Sequence, residues 1–325
     1  MIQYIIRRFL YAFPLLMGVN ILTFVLFFIV NSPDDMARMQ LGQKHVTTQA
    51  VENWKQQRGY DLPLLWNAKA QGEEKLSQTI FYQKSVGLFL FRFGVSDSGR
   101  NIAADIAQRM WPSLAVALPS LIVGLLVNIS FALMMVLFRQ SYLERAGMVL
   151  CVILMSVSSL FYIIGGQFLI GKLLMLVPIS GYDNGMAAVK FLLLPVLIGV
   201  FSGIGSGVRW YRTLFLEEVE KDYVRTARAK GLSETQTLFR HVLQNAMIPI
   251  LTGVVVVLPL LFMGSLIMES FFSIPGLGSY TIDAINSQDF AIVRAMVFLG
   301  SVLYVIGLLL TDISYTLVDP RVRLT

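Results

Sequence analysis

Asp222-Tyr-Val-Arg-Thr-Ala-Arg-Ala-Lys-Gly-Leu-Ser-Glu-Thr-Gln236 is a polar stretch set between two long apolar runs, and it decides how the whole chain is read. Glu217 to Lys230 has the composition of a helix. Lys230 sits in its last turn, where a cation suits the dipole, and Gly231 follows where a left-handed residue ends a helix. Ser233 starts a second helix, because its hydroxyl and the Gln236 side chain have the spacing of a capping box. Leu238, Phe239, Val242, Leu243, Ala246, Met247 and Ile250 then recur at three and four residues and form one apolar stripe, so this second helix is expected to lie down before the next apolar run begins. A polar helix-turn-helix so placed either docks onto something in water or rests on lipid headgroups.

The rest of the chain is apolar. Its 325 residues are 56% hydrophobic and 14% charged, which is too apolar for a water-soluble domain, and the mean hydropathy of +0.68 agrees. Crossing a hydrocarbon core of roughly 30 Å takes about 20 mostly apolar residues. Runs of that kind are Phe9 to Val30, Ser113 to Phe138, Ala146 to Val177, Phe191 to Val208, Ile250 to Met268 and Val293 to Thr316.

The net charge of +6 invites a nucleic-acid reading, but the placement of the basic residues decides against it. Arg7 and Arg8, Arg139 and Arg145, the group from Arg209 to Arg240, and Arg321 with Arg323 all fall in segments on one side of the six runs. That bias puts both termini in the cytoplasm. Asn31 to Gln108 is long enough to be exempt and is expected to be external. The first run is too long for a cleaved leader and has no small-x-small site after it, so it is read as a retained span. Cys151 is the single cysteine, which excludes an intrachain disulfide.

Tyr223-Val-Arg-Thr-Ala-Arg-Ala-Lys-Gly231-Leu-Ser, followed by Arg240-His241, Asn245-Ala246 and Ile248-Pro249, resembles the EAA loop of permease subunits in binding-protein-dependent ABC importers, the dipeptide, oligopeptide and nickel branch in particular. Arg225-Thr226-Ala227 stands where the general pattern has Glu-Ala-Ala, a departure common in the peptide branch. Glu269, Phe271 to Gly278 and Asp283 are similar to that branch's signature after the fifth span, and Leu317 to Arg323 to its ending. Arg7 to Leu10 with Pro14 to Val19 resembles its opening, and Gly59 to Leu64 with Phe93 to Ser96 its external loop. Two stretches depart from it: Ser32-Pro33-Asp34-Asp35 replaces Pro-Gly-Asp-Pro, and Asn128 to Ala132 replaces Gly-Ile-Pro-Leu-Gly, which removes a kink and close-packing glycines from the second span.

The resemblance implies an all-α integral membrane protein of about six transmembrane helices with cytoplasmic N and C termini and the type I ABC importer permease fold, in the bacterial cytoplasmic (inner) membrane. It divides the chain into residues 1–30, a first helix with a basic start; residues 31–112, an external loop region; and residues 113–325, a core of five helices with a coupling loop at 209–249. By the same resemblance Asp222, Tyr223, Arg225, Thr226, Ala227, Arg228, Lys230, Gly231, Leu232 and Ser233 seat in a groove of an ATPase subunit, while Glu269, Phe272, Pro275 and Gly276 lie near the outer gate or substrate path. It implies a homologous second permease, two ATP-binding subunits that hold ATP and Mg, a soluble solute-binding protein outside, membrane lipid around, and no cofactor on this chain. Di- and oligopeptides are the implied solutes; nickel, glutathione and antimicrobial peptides are carried by relatives with the same signatures.

Other function classes find little support. No HExxH or GxSxG occurs, and His45 and His241 lie outside the apolar runs, so an enzyme is not indicated and no nucleotide chemistry is expected of the chain itself. Gly166 to Leu173 nearly spells a phosphate-binding loop, but Leu173 stands where a hydroxyl must hold magnesium. An ion-coupled secondary transporter would show internal repeats and buried acids, and a channel gives no reason for the capped polar pair. Gly199, Gly203 and Gly207 form a small-residue face for close helix packing, within the chain or against a second permease.

Overall fold

The computed structural model describes residues 2–42, 46–183 and 185–318; His45 and the Asp319 to Arg323 ending lie outside them. Backbone groups in hydrocarbon must be satisfied within the segment itself. Among the described residues the chain is accordingly helical, with a single isolated bridge between Val95 and Asn101. Among the described residues five helices are long and apolar enough to cross a membrane: Leu10–Val30, Ile102–Leu137, Gly185–Val219, Glu234–Met263 and Phe290–Ser314. A bent pair, Tyr142–Ser156 with Ser159–Leu173, makes six if counted as one span. Leu126 and Phe161 remain 63% and 72% exposed, an arrangement suited to lipid and costly in water.

The third span, expected over Ala146 to Val177, is broken in the middle. Val157 and Ser158 both take extended backbone, and the two halves meet at 88°. The fifth span also ends earlier than Met268. Its α-helix gives way to a tighter 3-10 turn at Pro259–Met263, because Pro259 removes a backbone donor, and Gly264 then turns the chain.

The chain divides into two compact units, residues 1–109 with 280–309, and residues 110–279 with 310–318. In the first, Ser32 and Asp35 form a reciprocal cap with Pro33 at the first helical position, which starts Pro33–Leu41. Thr47 caps Thr48–Arg58, and a left-handed Gly59 ends it. Phe24, Phe28, Met36, Val51, Trp54, Tyr60 and Ile80 form the core of this unit, with ring pairs such as Phe28–Tyr60 at 5.4 Å.

In the second unit the core runs from Leu133 and Cys151 through Val208, Phe215 and Val224 to Val242 and Ile250. Small residues set how closely its helices approach. A Cβ on Gly207 would lie 2.6 Å from the Asn128 amide, and one on Gly199 would lie 3.2 Å from the Ser120 hydroxyl, so that glycine face packs against the second span. Gly203 faces open space, whereas a Cβ on Gly205, absent from the expected stripe, would lie 2.6 Å from the Cys151 carbonyl. Glu144 and Arg212 form an ion pair that ties the third span to the fourth.

Candidate functional site

The elbow between the fourth and fifth spans is built from local signals. The fourth helix runs to Val219, past the expected start at Glu217, and breaks because Lys221 is extended. The first elbow helix is therefore Asp222–Ala229, shorter than Glu217 to Lys230. Asp222 opens it, where a negative charge suits the dipole. At its end the Gly231 amide donates to the Arg228 carbonyl at 2.9 Å and the Leu232 amide to Ala227 at 3.4 Å, with Gly231 at φ +82°. These two bonds form a Schellman stop. The Ser233 hydroxyl accepts from the Gln236 amide at 3.3 Å while the Gln236 side chain accepts from Ser233 N–H, the expected capping box.

No separate helix lies flat after this cap. Glu234–Met263 is one continuous run, loosened by a π turn at Leu238–Val242. Leu238, Val242, Ala246 and Ile250 are buried as the stripe requires, but Phe239 is 56% exposed on its edge.

The ten residues assigned to the elbow divide cleanly. Ala227, with its neighbour Val224, is buried and anchors the helix inward. Asp222, Arg225, Thr226, Lys230, Gly231 and Ser233 are exposed, and together they form a polar crest. Tyr223, Arg228 and Leu232 are half-buried between them. The Tyr223 hydroxyl donates to the Glu218 carboxylate at the end of the fourth helix. Burial and that carboxylate both push the phenol above its ordinary value. Arg228 grips Glu234 through two hydrogen bonds of 2.9 and 3.1 Å, which fixes the two elbow helices relative to each other. Arg225 and Asp222 also pair at 3.4 Å, but both are exposed and the contact contributes little.

A second cluster follows the fifth span. Ser265 caps the short helix Leu266–Phe272, Ser273 takes a left-handed turn, and Leu277–Asn286 begins two residues after Pro275. Glu269 is 1% exposed, and its two oxygens accept from Ser265 N–H at 3.2 Å and Ser279 N–H at 3.0 Å. The Ser113 hydroxyl, from the start of the second span, accepts from Leu277 N–H at 2.8 Å. A Cβ on Gly276 would collide with Glu269 and Ser113, so the backbone wraps the carboxylate with no space to spare. Phe272 is buried against Val116, Ile163 and Leu194. Of the four residues expected near a gate, only Pro275 is exposed; Glu269, Phe272 and Gly276 hold the turn.

Glu269 also lines a cavity of about 350 Å³ with Ser113, Ser120, Ser159 and Ser202. The sequence alone gave no sign of Ser113 or Ser279, whose role depends on contacts between distant stretches. The near phosphate-loop stretch at Gly166 to Leu173 is itself helical, with Lys172 lying 5.8 Å from the Phe168 ring. Among the described residues no three His, Cys, Asp or Glu side chains are grouped to hold a metal.

Comparison with known proteins agrees with this geometry. Residues 128–324 match the family described as binding-protein-dependent transport system inner membrane component, and residues 1–71 match the N-terminal part of such membrane components. The glutathione transport system permease proteins GsiC of Salmonella choleraesuis (strain SC-B67) and Escherichia coli O6:H1 are each 29% identical, over 99% of both chains. A putative peptide transport system permease protein of Brucella abortus (strain 2308) is 31% identical over 98% of both. A capped polar elbow between apolar spans and a family match over more than half the chain lead to one assignment: the chain belongs to the inner membrane components of binding-protein-dependent transport systems.

Proposed function

We propose that this chain forms one half of the pathway of an ATP-driven importer of di- and oligopeptides and that the elbow is where it couples to an ATPase subunit. A homologous permease completes the pathway, two ATP-binding subunits hold ATP and Mg beneath it, and a soluble binding protein delivers solute to the external segment. The basic residues of the elbow put it in the cytoplasm, by the positive-inside bias. The chain itself is non-catalytic.

One observation carries this reading: the elbow is anchored and clamped within and polar without. Val224 and Ala227 are sunk into the core, the Arg228–Glu234 clamp closes the turn, and the crest from Asp222 to Ser233 stays exposed. A rigid body joined by a short connection to the fourth span and directly to the fifth passes a push on its crest to both, the kind of rigid displacement by which packed helices switch between two arrangements. Support for peptides comes from the relatives named as peptide permeases, and glutathione is the second reading because other relatives bear that name. Uptake of radiolabelled di- and tripeptides, glutathione and nickel in a strain lacking this subunit, with and without the gene restored, separates them. Restored uptake of peptides alone supports the first reading; restored uptake of glutathione alone replaces it with the second.

A further inference from the structure

The first unit contains a cavity of about 470 Å³ that neither the elbow nor the Glu269 turn touches. Arg58, Lys84, Arg92 and Arg294 line it, with Asp97 as the one carboxylate among its described lining residues, a surplus of three positive charges. Asp97 is already engaged, accepting from Arg58 Nε at 2.7 Å and from the Gln40 side chain. The other three cations have no carboxylate within ion-pair distance among the described residues.

Arg294 is the residue that most needs a partner. It is 4% exposed, its Nε has no hydrogen-bond partner, and its guanidinium lies 5.1 Å from the Phe28 ring centre. Asp289, itself buried, attracts Arg294 without forming an ion pair or hydrogen bond with it. A buried cation without a bonded counter-charge is destabilising, and so is a buried donor without an acceptor. Lys84 adds to the imbalance, since burial pushes its ammonium below the ordinary value and the charge of Arg294 pushes it further. An anion entering the cavity would answer both groups at once.

We propose that this cavity is a binding site for a small carboxylate, lined by the buried Arg294 and the half-buried Lys84, with Arg92 at its exposed rim. The planar guanidinium fork matches a carboxylate, and Arg58 already holds the chain's own Asp97 carboxylate through its Nε. The volume is that of a small-molecule site, and Tyr60 and Phe93 supply apolar wall.

The test uses the full-length chain in phosphatidylcholine nanodiscs and calorimetric titration with N-acetyl-dialanine, which carries one carboxylate, against its neutral C-terminal amide. The acid binds more tightly than the amide by about tenfold or more. Arg294→Met removes that preference, and Arg92→Gln, at the exposed rim and without risk to packing, reduces it. Equal binding of acid and amide by the unaltered chain overturns the site, as does an unchanged preference in both variants. A preference that disappears when phosphatidylglycerol replaces part of the phosphatidylcholine assigns the cavity to a lipid phosphate and overturns the solute assignment. Binding is read without ATPase or binding protein, so its failure leaves the transport reading untouched.

Discussion

Arg228 holds Glu234 by two hydrogen bonds, 2.9 and 3.1 Å long, across the left-handed Gly231, so the angle of the elbow is fixed by a charged clamp as well as by backbone. The clamp is partly exposed, and its contribution to stability is expected to be about 0.2–1 kcal/mol, as for other surface pairs. Arg228→Glu and Glu234→Arg should each reduce uptake, and the exchanged double variant should recover much of it. A double-mutant cycle on uptake rate gives the coupling between them; additive losses would show that the clamp does not set the elbow.

Gly231→Val places a branched side chain at φ +82°, a strain of roughly 1 kcal/mol or more. No atom lies within 4 Å of a Cβ there, so the cost is in backbone angle and not in collision. Solute uptake is expected to collapse while the subunit still reaches the membrane, as read by quantitative blotting of membrane fractions beside the uptake assay.

Glu269→Gln replaces one acceptor oxygen with an amide nitrogen that cannot accept, so either Ser265 N–H or Ser279 N–H loses its partner. A buried unmet donor costs about 1–3 kcal/mol, so the melting temperature of the purified chain should fall. Gly276→Ala should fall further, because its Cβ has no room beside Glu269 and Ser113. A melting temperature unchanged in both would show that the turn does not depend on this carboxylate.

Tyr223 gives a pH signature. Its phenol is raised above the unfolded value of about 10, so the stability it contributes is fully present below about pH 10 and is lost as pH rises through the folded value. Melting of the wild-type chain should therefore fall more steeply above about pH 10 than that of Tyr223→Phe, which has no proton to lose.

The elbow was legible because its signals are local: Gly231 as a helix stop, and Ser233 with Gln236 as a start, each decided within four residues. The break after Val219 was not, since Lys221 leaves the helix with no glycine or proline to announce it. The bend at Val157 and Ser158 lies inside an apolar run whose composition suits one straight span equally well. Glu269 could be seen as an acid beside a span, but its burial is decided by backbone amides that fold back on it and by Ser113 far away in the chain. Arg294 carried a usable signal, an arginine near the start of the last apolar run, although its cavity depends on the helix end at Arg58 and the loop at Arg92.

The central claim is that the elbow's crest is the surface on which a separate ATPase pushes. Lys230→Cys, in a chain whose buried Cys151 is replaced by alanine, places one reactive thiol on that crest, and crosslinking to the co-purified ATPase subunits reads the contact directly. The account predicts a crosslink to an ATPase subunit whose yield changes when ATP is added, and none from Leu126→Cys on the lipid-exposed second span. An intact, transport-active complex with no ATPase crosslink from Lys230→Cys would contradict it.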